Sequence, residues 1–346
     1  MTEQRSRKRS WGLAVRALVT LSIIGFLLYK FDWGELVLQL RRADPVWLAF
    51  ACVVFGITYL LAAVRWWLLL QVQDIFLRLR VVTALTLIGQ FFNNFMLGSV
   101  GGDIVKAVYL HRYAPAQRTH ATLSVVMDRV LGLFMLLCGS LLAIPWQLHS
   151  MMTTDKADTA IVGLLIVFVV MVAGGIAVAV MPFHRAPKRL RQLWSNIPHH
   201  RVIELIVSGF RQHGIALRLT LASIGIAVAV TLGLTLAGFC IAVGIGLNVS
   251  YLQLLVILTV AICITSLPIS IGGHGVREGI FVIMFAAFGV VSTDASVGAG
   301  RETAILFSLL FFAIPLVWSM VGGVIYLVFR HDYPGVMSAG GAVKVD

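Results

Sequence analysis

Charged residues are scarce in this chain of 346 residues, and acidic residues are the scarcest. Only 12% of the residues are charged while 59% are hydrophobic, whereas a soluble protein carries about 25% charged residues. The four cysteines, at positions 52, 138, 240 and 263, lie in apolar runs without CxxC or Cys/His spacing. That pattern indicates neither a disulfide framework nor a zinc site. The composition therefore predicts a polytopic membrane protein.

Motifs for nucleotide hydrolysis and for common hydrolytic chemistry are also missing. There is no GxxxxGK[ST], HExxH or GxSxG sequence, so we expect no ATPase activity in this chain, no metal and no cofactor. The net charge is nevertheless +12. In a membrane chain, such basic residues are expected at the cytoplasmic face, beside anionic lipid, and not on nucleic acid.

Six apolar runs are long enough to cross a bilayer as helices, which takes about 20 residues each. These runs are Gly12–Tyr29, Val46–Leu70, Thr122–Ile144, Thr159–Met181, Thr220–Leu247 and Thr303–Phe329. Two further runs, Val81–Tyr109 and Tyr251–Val290, are interrupted by glycine, polar and charged residues. We predict an all-α integral membrane protein with six full spans and two glycine-broken re-entrant hairpins. A pair of short spans is the alternative for each hairpin.

The distribution of Lys and Arg predicts the orientation, because cytoplasmic loops carry the excess of positive charge. Both termini are expected in the cytoplasm, and the protein is expected in the plasma (inner) membrane. We divide the chain into a basic terminus (1–11), one transmembrane domain (12–330) and a tail (331–346). The basic loop 182–219 is the main soluble segment, and it is too short for a catalytic domain.

The two interrupted runs share a motif. Ser99–Lys106 aligns without gaps on Ser270–Arg277 as Ser, apolar, Gly, Gly, x, x, Val, basic. We therefore predict two repeat units, 12–145 and 159–330, and the second is inverted because three spans precede it. Such repeats are typical of secondary transporters, with the site at the repeat interface. Irregular backbone must face protein or a wet cavity, so the two breaks should meet inside the molecule.

Each Gly-Gly pair is expected to begin a helix whose free N–H groups and basic residue bind a phosphate. The predicted substrate site consists of Asn93, Asn94, Gly101, Gly102, Asp103, Lys106, Asp128, Arg129, Gly272, Gly273, His274, Arg277 and Glu278. The competing hypothesis is that Gly-Gly only permits close helix packing.

We predict a separate role for each polar residue around the two motifs. Asp103 is expected to cap its helix, and Glu278 to form an ion pair with Arg277. His274 is expected to be either a titrating group or a structural histidine. The amides of Asn93 and Asn94 offer donors and acceptors at membrane depth.

Three charged residues lie in or beside predicted spans. Asp128 is expected to face Lys106, and Arg129 to face the phosphate; a structural ion pair is the alternative, since ionisable groups in a span need partners. Arg65 is expected to extend to the inner interface.

With these residues identified, the sequence resembles the lysylphosphatidylglycerol synthase transmembrane-region family, also called the flippase-like domain. The matching segments are 93–103 with Lys106, Met127-Asp128-Arg129 with Gly132, and 268–278. Family members usually have proline at position 96 or 97 and arginine at position 106, so this sequence departs from the pattern there.

The resemblance implies a membrane domain that moves lipids between leaflets. In the synthases a soluble aminoacyl-transfer domain follows; here only a short tail follows Phe329, so synthase activity is not expected. Stand-alone members resemble proteins of hopanoid, glycolipid and polyprenyl-linked sugar pathways. The expected partners are anionic or polyprenyl-phosphate lipids, together with a separate lipid-modifying enzyme or glycosyltransferase. We expect a lipid flippase and not an enzyme.

Two alternatives to a flippase remain open at this point. One is an intramembrane transferase on a lipid-phosphate substrate, with Asp103 or Asp128 as base. The other is a non-catalytic partner of a membrane glycosyltransferase.

Cysteine labelling tests the orientation. In a cysteine-free background, Lys156→Cys should react with a membrane-impermeant maleimide in intact cells. Arg201→Cys should react only after permeabilisation, because the loop 182–219 is expected in the cytoplasm. The opposite labelling pattern would contradict the predicted topology.

Overall fold

The computed structural model describes residues 43–95, 101–151, 217–266, 276–290 and 299–328. These ranges hold eight α-helices, and a 3₁₀ turn at Pro115–Gln117. The helices are α1 (Pro45–Val72), α2 (Leu79–Phe95), α3 (Gly101–Tyr113), α4 (Arg118–Met151), α5 (Leu217–Gly244), α6 (Tyr251–Ser266), α7 (Val276–Ala287) and α8 (Ala299–Val328). The described chain contains no strand, which confirms the prediction of an all-α membrane protein.

Four of these helices are long and apolar enough to cross a membrane: α1, α4, α5 and α8. They match the predicted spans 46–70, 122–144, 220–247 and 303–329. The predicted spans 12–29 and 159–181 lie outside the described residues. So do the terminus 1–11, most of the loop 182–219 and the tail 331–346.

The first described span begins at a well-formed cap. The Asp44 carboxylate accepts a hydrogen bond of 2.9 Å from the Val46 N–H, and Pro45 occupies the first turn, where its missing N–H costs nothing. The Asp44 N–H itself donates to the Gly244 carbonyl at the end of α5, at 2.8 Å. This bond ties the start of α1 to the end of α5.

The pair of α1 and α5 is antiparallel. At one end Gly244 packs against Trp47 and Leu48; at Gly233, further back in α5, the neighbour is Thr58, further along α1. Residues with lower numbers in α5 contact residues with higher numbers in α1, so the two helices run in opposite directions. The two helices are the second spans of the two predicted repeat units, and an inverted repeat requires that they run oppositely.

The other helix contacts are symmetric: each contact of a helix in α1–α4 has an equivalent when α1, α2, α3 and α4 are replaced by α5, α6, α7 and α8. Helix α2 packs against α8, and α6 packs against α4. Likewise α3 packs against α4 and α7 against α8, while α2–α3 and α6–α7 are neighbours. Every one of these pairs has a counterpart, as a two-fold internal repeat predicts. The full units 12–145 and 159–330 stay a prediction, because parts of both lie outside the described residues.

The two short helices of the first interrupted run form a hairpin. Asn93 bonds Gly102 near the tip, and Gly89 lies against Lys106 further back, so α2 and α3 are antiparallel. With 17 and 13 residues, they extend over roughly 25 and 20 Å, less than the hydrocarbon thickness of about 30 Å. Each helix is therefore shorter than a full span, which agrees with a re-entrant hairpin and also with a pair of short spans. The break itself, residues 96–100, is outside the described residues.

The second interrupted run folds in the same way. Phe288 packs beside Leu252 and Leu255 at one end of α6 and α7, whereas Thr265 and Arg277 line one cavity at the other end. Because α2 follows the end of α1 and α6 follows the end of antiparallel α5, the hairpins enter the bundle from opposite ends.

The hairpin α2–α3 depends on a glycine in the last span. A Cβ atom at Gly322 of α8 would overlap the Leu87 backbone carbonyl of α2, and backbone inside a helix cannot move aside. We expect Gly322→Ala to lower the unfolding free energy by about 1–3 kcal/mol, as overpacking does. Thermal unfolding of the purified protein in detergent measures the loss. Gly225→Ala is the control, because a Cβ there meets nothing within 4 Å; equal Tm values for both variants would contradict the expectation.

Candidate functional site

A cavity of about 400 Å³ lies where the ends of the two hairpins approach α1, α4, α5 and α8. Its polar wall is formed by Tyr59, Arg65, Gln90, Asn93, Asn94, Asp128, Arg129, Thr231, Thr265 and Arg277. Aromatic and aliphatic side chains form the rest, among them Phe55, Leu133, Leu136, Phe281, Phe311 and Phe312. The described ends of both interrupted runs therefore line one cavity, while the breaks themselves lie outside the described residues.

The last turn of α2 supplies the amides of this wall. Gln90, Asn93 and Asn94 are spaced three and four residues apart, so they share a helix face. The Gln90 amide donates to the Tyr59 hydroxyl at 3.1 Å. The Asn93 side-chain oxygen accepts the Gly102 N–H at 2.8 Å. This N–H was expected to be free for a phosphate, and instead Asn93 satisfies it.

Gly102 has a packing role that the sequence left open. A Cβ atom there would overlap the Gly89 carbonyl of α2, so the absence of a side chain lets α3 lie directly against α2. Gly101 is also buried. Close packing therefore accounts for the glycine at 102, while Gly272, Gly273 and His274 lie outside the described residues.

Lys106 lies behind the cavity. Its ammonium is 4.8 Å from the centroid of the Trp66 ring, its side chain runs beside Gly89, and the residue is 8% exposed. A cation over an aromatic face is stabilised by the ring quadrupole. The described wall of the cavity does not include Lys106, so its predicted contact with substrate has no support from its position.

Asp128 forms an ion pair with Arg65, not with Lys106. The Arg65 Nε atom donates to the Asp128 Oδ1 atom at 2.8 Å, and both side chains are buried. Two sequence expectations are therefore wrong: Asp128 does not face Lys106, and Arg65 does not extend to the interface. The physical reason is that a buried carboxylate requires a close partner. Arg65 lies inside an apolar run, so the rule applied to Asp128 would have identified it as well.

Arg129 is held by the first hairpin. Its Nη1 atom donates to the Asp103 Oδ2 atom at 2.5 Å, which joins the first turn of α3 to α4. Asp103 was expected to cap its helix, and its carboxylate is instead engaged by Arg129. Because neighbouring residues on a helix face different directions, Asp128 and Arg129 reach different elements.

Arg277 is held by the second hairpin and α8. Its Nη2 atom lies 3.1 Å from the Glu278 Oε1 atom, which agrees with the expected ion pair. Its Nε atom donates to the Ser308 hydroxyl at 3.1 Å, and the guanidinium lies 4.7 Å from the centroid of the Phe312 ring. These contacts fix a buried cation at the cavity wall.

The arrangement suits an anionic group attached to hydrocarbon. Three guanidinium groups line the cavity, each paired with one carboxylate, and of these carboxylates only Asp128 is among the described lining residues. Guanidinium binds phosphate or carboxylate oxygens in a bidentate manner. Sequence reasoning had identified two of these arginines. It missed Arg65, and also Tyr59, Gln90 and Pro315, a proline inside α8, all of which line the cavity.

Two similarities to known proteins extend over most of the chain. The family model described as the lysylphosphatidylglycerol synthase TM region matches residues 13–300. A UPF0104 membrane protein of Methanothermobacter thermautotrophicus is 23% identical over 290 residues, which cover 79% of this chain and 85% of the relative.

The Asp103–Arg129 pair should be measurable by a double-mutant cycle. Asp103→Asn or Arg129→Gln alone removes one half of a partly buried ion pair, so the losses of stability in the two single variants should add up to more than the loss in the double variant. We expect a coupling free energy of about 1–3 kcal/mol in thermal unfolding. Arg78→Gln, an exposed arginine before α2, is the control and should change little. Additive effects of the two changes would show that the pair does not hold α3 to α4.

Proposed function

The chain belongs to the lysylphosphatidylglycerol synthase transmembrane-region family, and from that membership we propose that it is a lipid flippase. It moves a lipid with a phosphate-containing headgroup between the two leaflets of the plasma membrane. The aminoacyl-transfer reaction is not part of the proposal, because the match concerns the membrane region.

The observation that carries this proposal is that charged and apolar side chains line the same cavity. Arg65, Arg129 and Arg277 line it together with phenylalanines of α1, α7 and α8. A soluble anion has no need of the phenylalanines, and a hydrocarbon ligand has no need of three guanidinium groups. A lipid headgroup with the start of its chains uses both. The volume of about 400 Å³ suits the headgroup, with the acyl chains left in the bilayer.

The direction of the hairpins supports transport over simple binding. The hairpins enter from opposite ends of the bundle and both reach the cavity, so each separates the cavity from one side of the membrane. Rocking of the two units about the α1–α5 contact then opens the site first to one leaflet and then to the other, as in transporters built from inverted repeats.

The intramembrane transferase is the weaker alternative. It needs Asp103 or Asp128 as a general base. Both carboxylates already bind arginines, at 2.5 and 2.8 Å, so either would have to leave its ion pair to reach a reacting substrate.

Translocation in proteoliposomes tests the proposal. With headgroup-labelled phosphatidylglycerol, the wild-type protein should expose the label to an external quencher faster than protein-free vesicles do. Arg129→Gln and Arg277→Gln should each reduce the rate about tenfold or more, because each removes a charge-assisted contact to the phosphate. Lys106→Gln should reduce it less, since Lys106 lies outside the cavity wall.

Arg218→Gln is the matched control, because Arg218 is exposed at the start of α5. Wild-type rates in both cavity variants, in protein that elutes as a folded species, would contradict the proposed site. A rate for the wild-type protein no higher than in empty vesicles, across anionic lipids, would contradict the function.

A further inference from the structure

The guanidinium of Arg65 lies in the cavity wall and has a hydrogen-bond partner at only part of its donor atoms. The Arg65 Nε atom is bound to Asp128, but its Nη1 atom is buried and has no hydrogen-bond partner among the described residues. The side chain as a whole is 7% exposed. Arg129 and Arg277, by contrast, bind their partners through Nη atoms.

An unpartnered charged donor in the interior is costly. Hydrogen bonds to charged groups are the strongest in proteins. A buried charged donor without a partner therefore costs the full desolvation penalty of that group. Buried groups of this kind are few and need a specific explanation, such as a ligand. Since Asp128 already orients Nε, the guanidinium plane is fixed, and its unused edge has a defined position at the cavity.

A glycine of α4 lies against this edge. Gly132 lines the same cavity, and a Cβ atom there would lie 3.1 Å from the Arg65 Nη1 atom and 3.2 Å from Nη2. Any other residue at this position would crowd the two nitrogens that Asp128 does not bind. A glycine in the middle of a helix lowers its stability relative to alanine, and here it lets the guanidinium lie directly against α4 at the cavity wall.

We propose that Arg65 is a specificity-determining residue that binds an anionic oxygen of the lipid headgroup through its Nη edge, with Asp128 and Gly132 as its positioning residues. The inference rests on the proposed function and deepens it. The transported lipid carries a phosphate-type anion. Neutral headgroups are rejected because they leave the Arg65 donor without a hydrogen-bond partner.

Binding to the full-length protein in detergent tests the role of Arg65. The probes are short-chain dihexanoyl phosphatidylglycerol, dihexanoyl glycerol as the neutral analogue, and inorganic phosphate. The wild-type protein should bind the anionic lipid and not the neutral one. Arg65→Lys keeps the charge beside Asp128 but lacks the second edge, and it should bind about tenfold more weakly or worse. The double variant Arg65→Gln/Asp128→Asn, which leaves no buried charge unpaired, should lose binding while remaining folded.

Gly132→Ala tests the position of the guanidinium separately from its charge. It should weaken anionic-lipid binding about tenfold, because the added methyl group displaces the two Nη atoms while the charge of Arg65 is kept. Gly139→Ala, two turns further along α4, is the matched control: a Cβ there makes ordinary contacts of 3.7–3.8 Å, and binding should stay at the wild-type value.

The possible failures can be told apart. Wild-type affinity in Arg65→Lys and Gly132→Ala, with binding lost in Arg277→Gln, would overturn the role of Arg65 and leave the proposed function standing. Binding of neither lipid nor phosphate to the wild-type protein would overturn the proposed function and the inference together. Binding of inorganic phosphate alone, dependent on Arg65, would support the anion site and overturn the lipid as its source.

Discussion

Charged side chains in the interior of a membrane-spanning bundle need partners, and here each partner lies on a neighbouring element or the next turn. Arg65 of α1 meets Asp128 of α4, and Arg129 of α4 meets Asp103 of α3. Arg277 meets Glu278 beside it and Ser308 of α8. Because unpaired charges are so costly in this environment, these contacts fix how the first hairpin, α1 and α4 are positioned around the cavity. The same charges then form its polar wall.

Glycines make the second contribution, since they determine how closely the helices approach. Gly102 brings α3 onto the Gly89 carbonyl, Gly322 brings α8 onto the backbone of α2, and Gly56 of α1 accommodates Trp318 of α8. Trp318 also donates its indole N–H to the Cys52 carbonyl at 2.8 Å, which fixes α8 against α1. Small residues allow this packing in membranes, where burial of apolar surface from water does not drive helices together.

The sequence predicted the parts of the fold that depend on local composition. Apolar runs identified the four described spans, and the glycine interruptions located the hairpins. Partner choice was less accessible, because it depends on the rotation of one helix against another. Lys106 was assigned to Asp128, yet Trp66 lies under its ammonium and Arg65 reaches the carboxylate. The adjacent pair Arg277–Glu278 was predicted correctly, since it needs no knowledge of a second helix.

The packing and binding explanations of the Gly-Gly motif are therefore not exclusive. Gly102 is required for packing, and the same contact lets Asn93 accept the Gly102 N–H, which holds the end of α2 at the cavity. That end carries Asn94 beside Asn93 and Gln90 one turn earlier, and all three line the cavity. Close packing is thus the means by which the amide-bearing turn is positioned opposite the arginines. A change that relieves the packing, such as a larger residue at 102, would move these amides even though it removes no polar group.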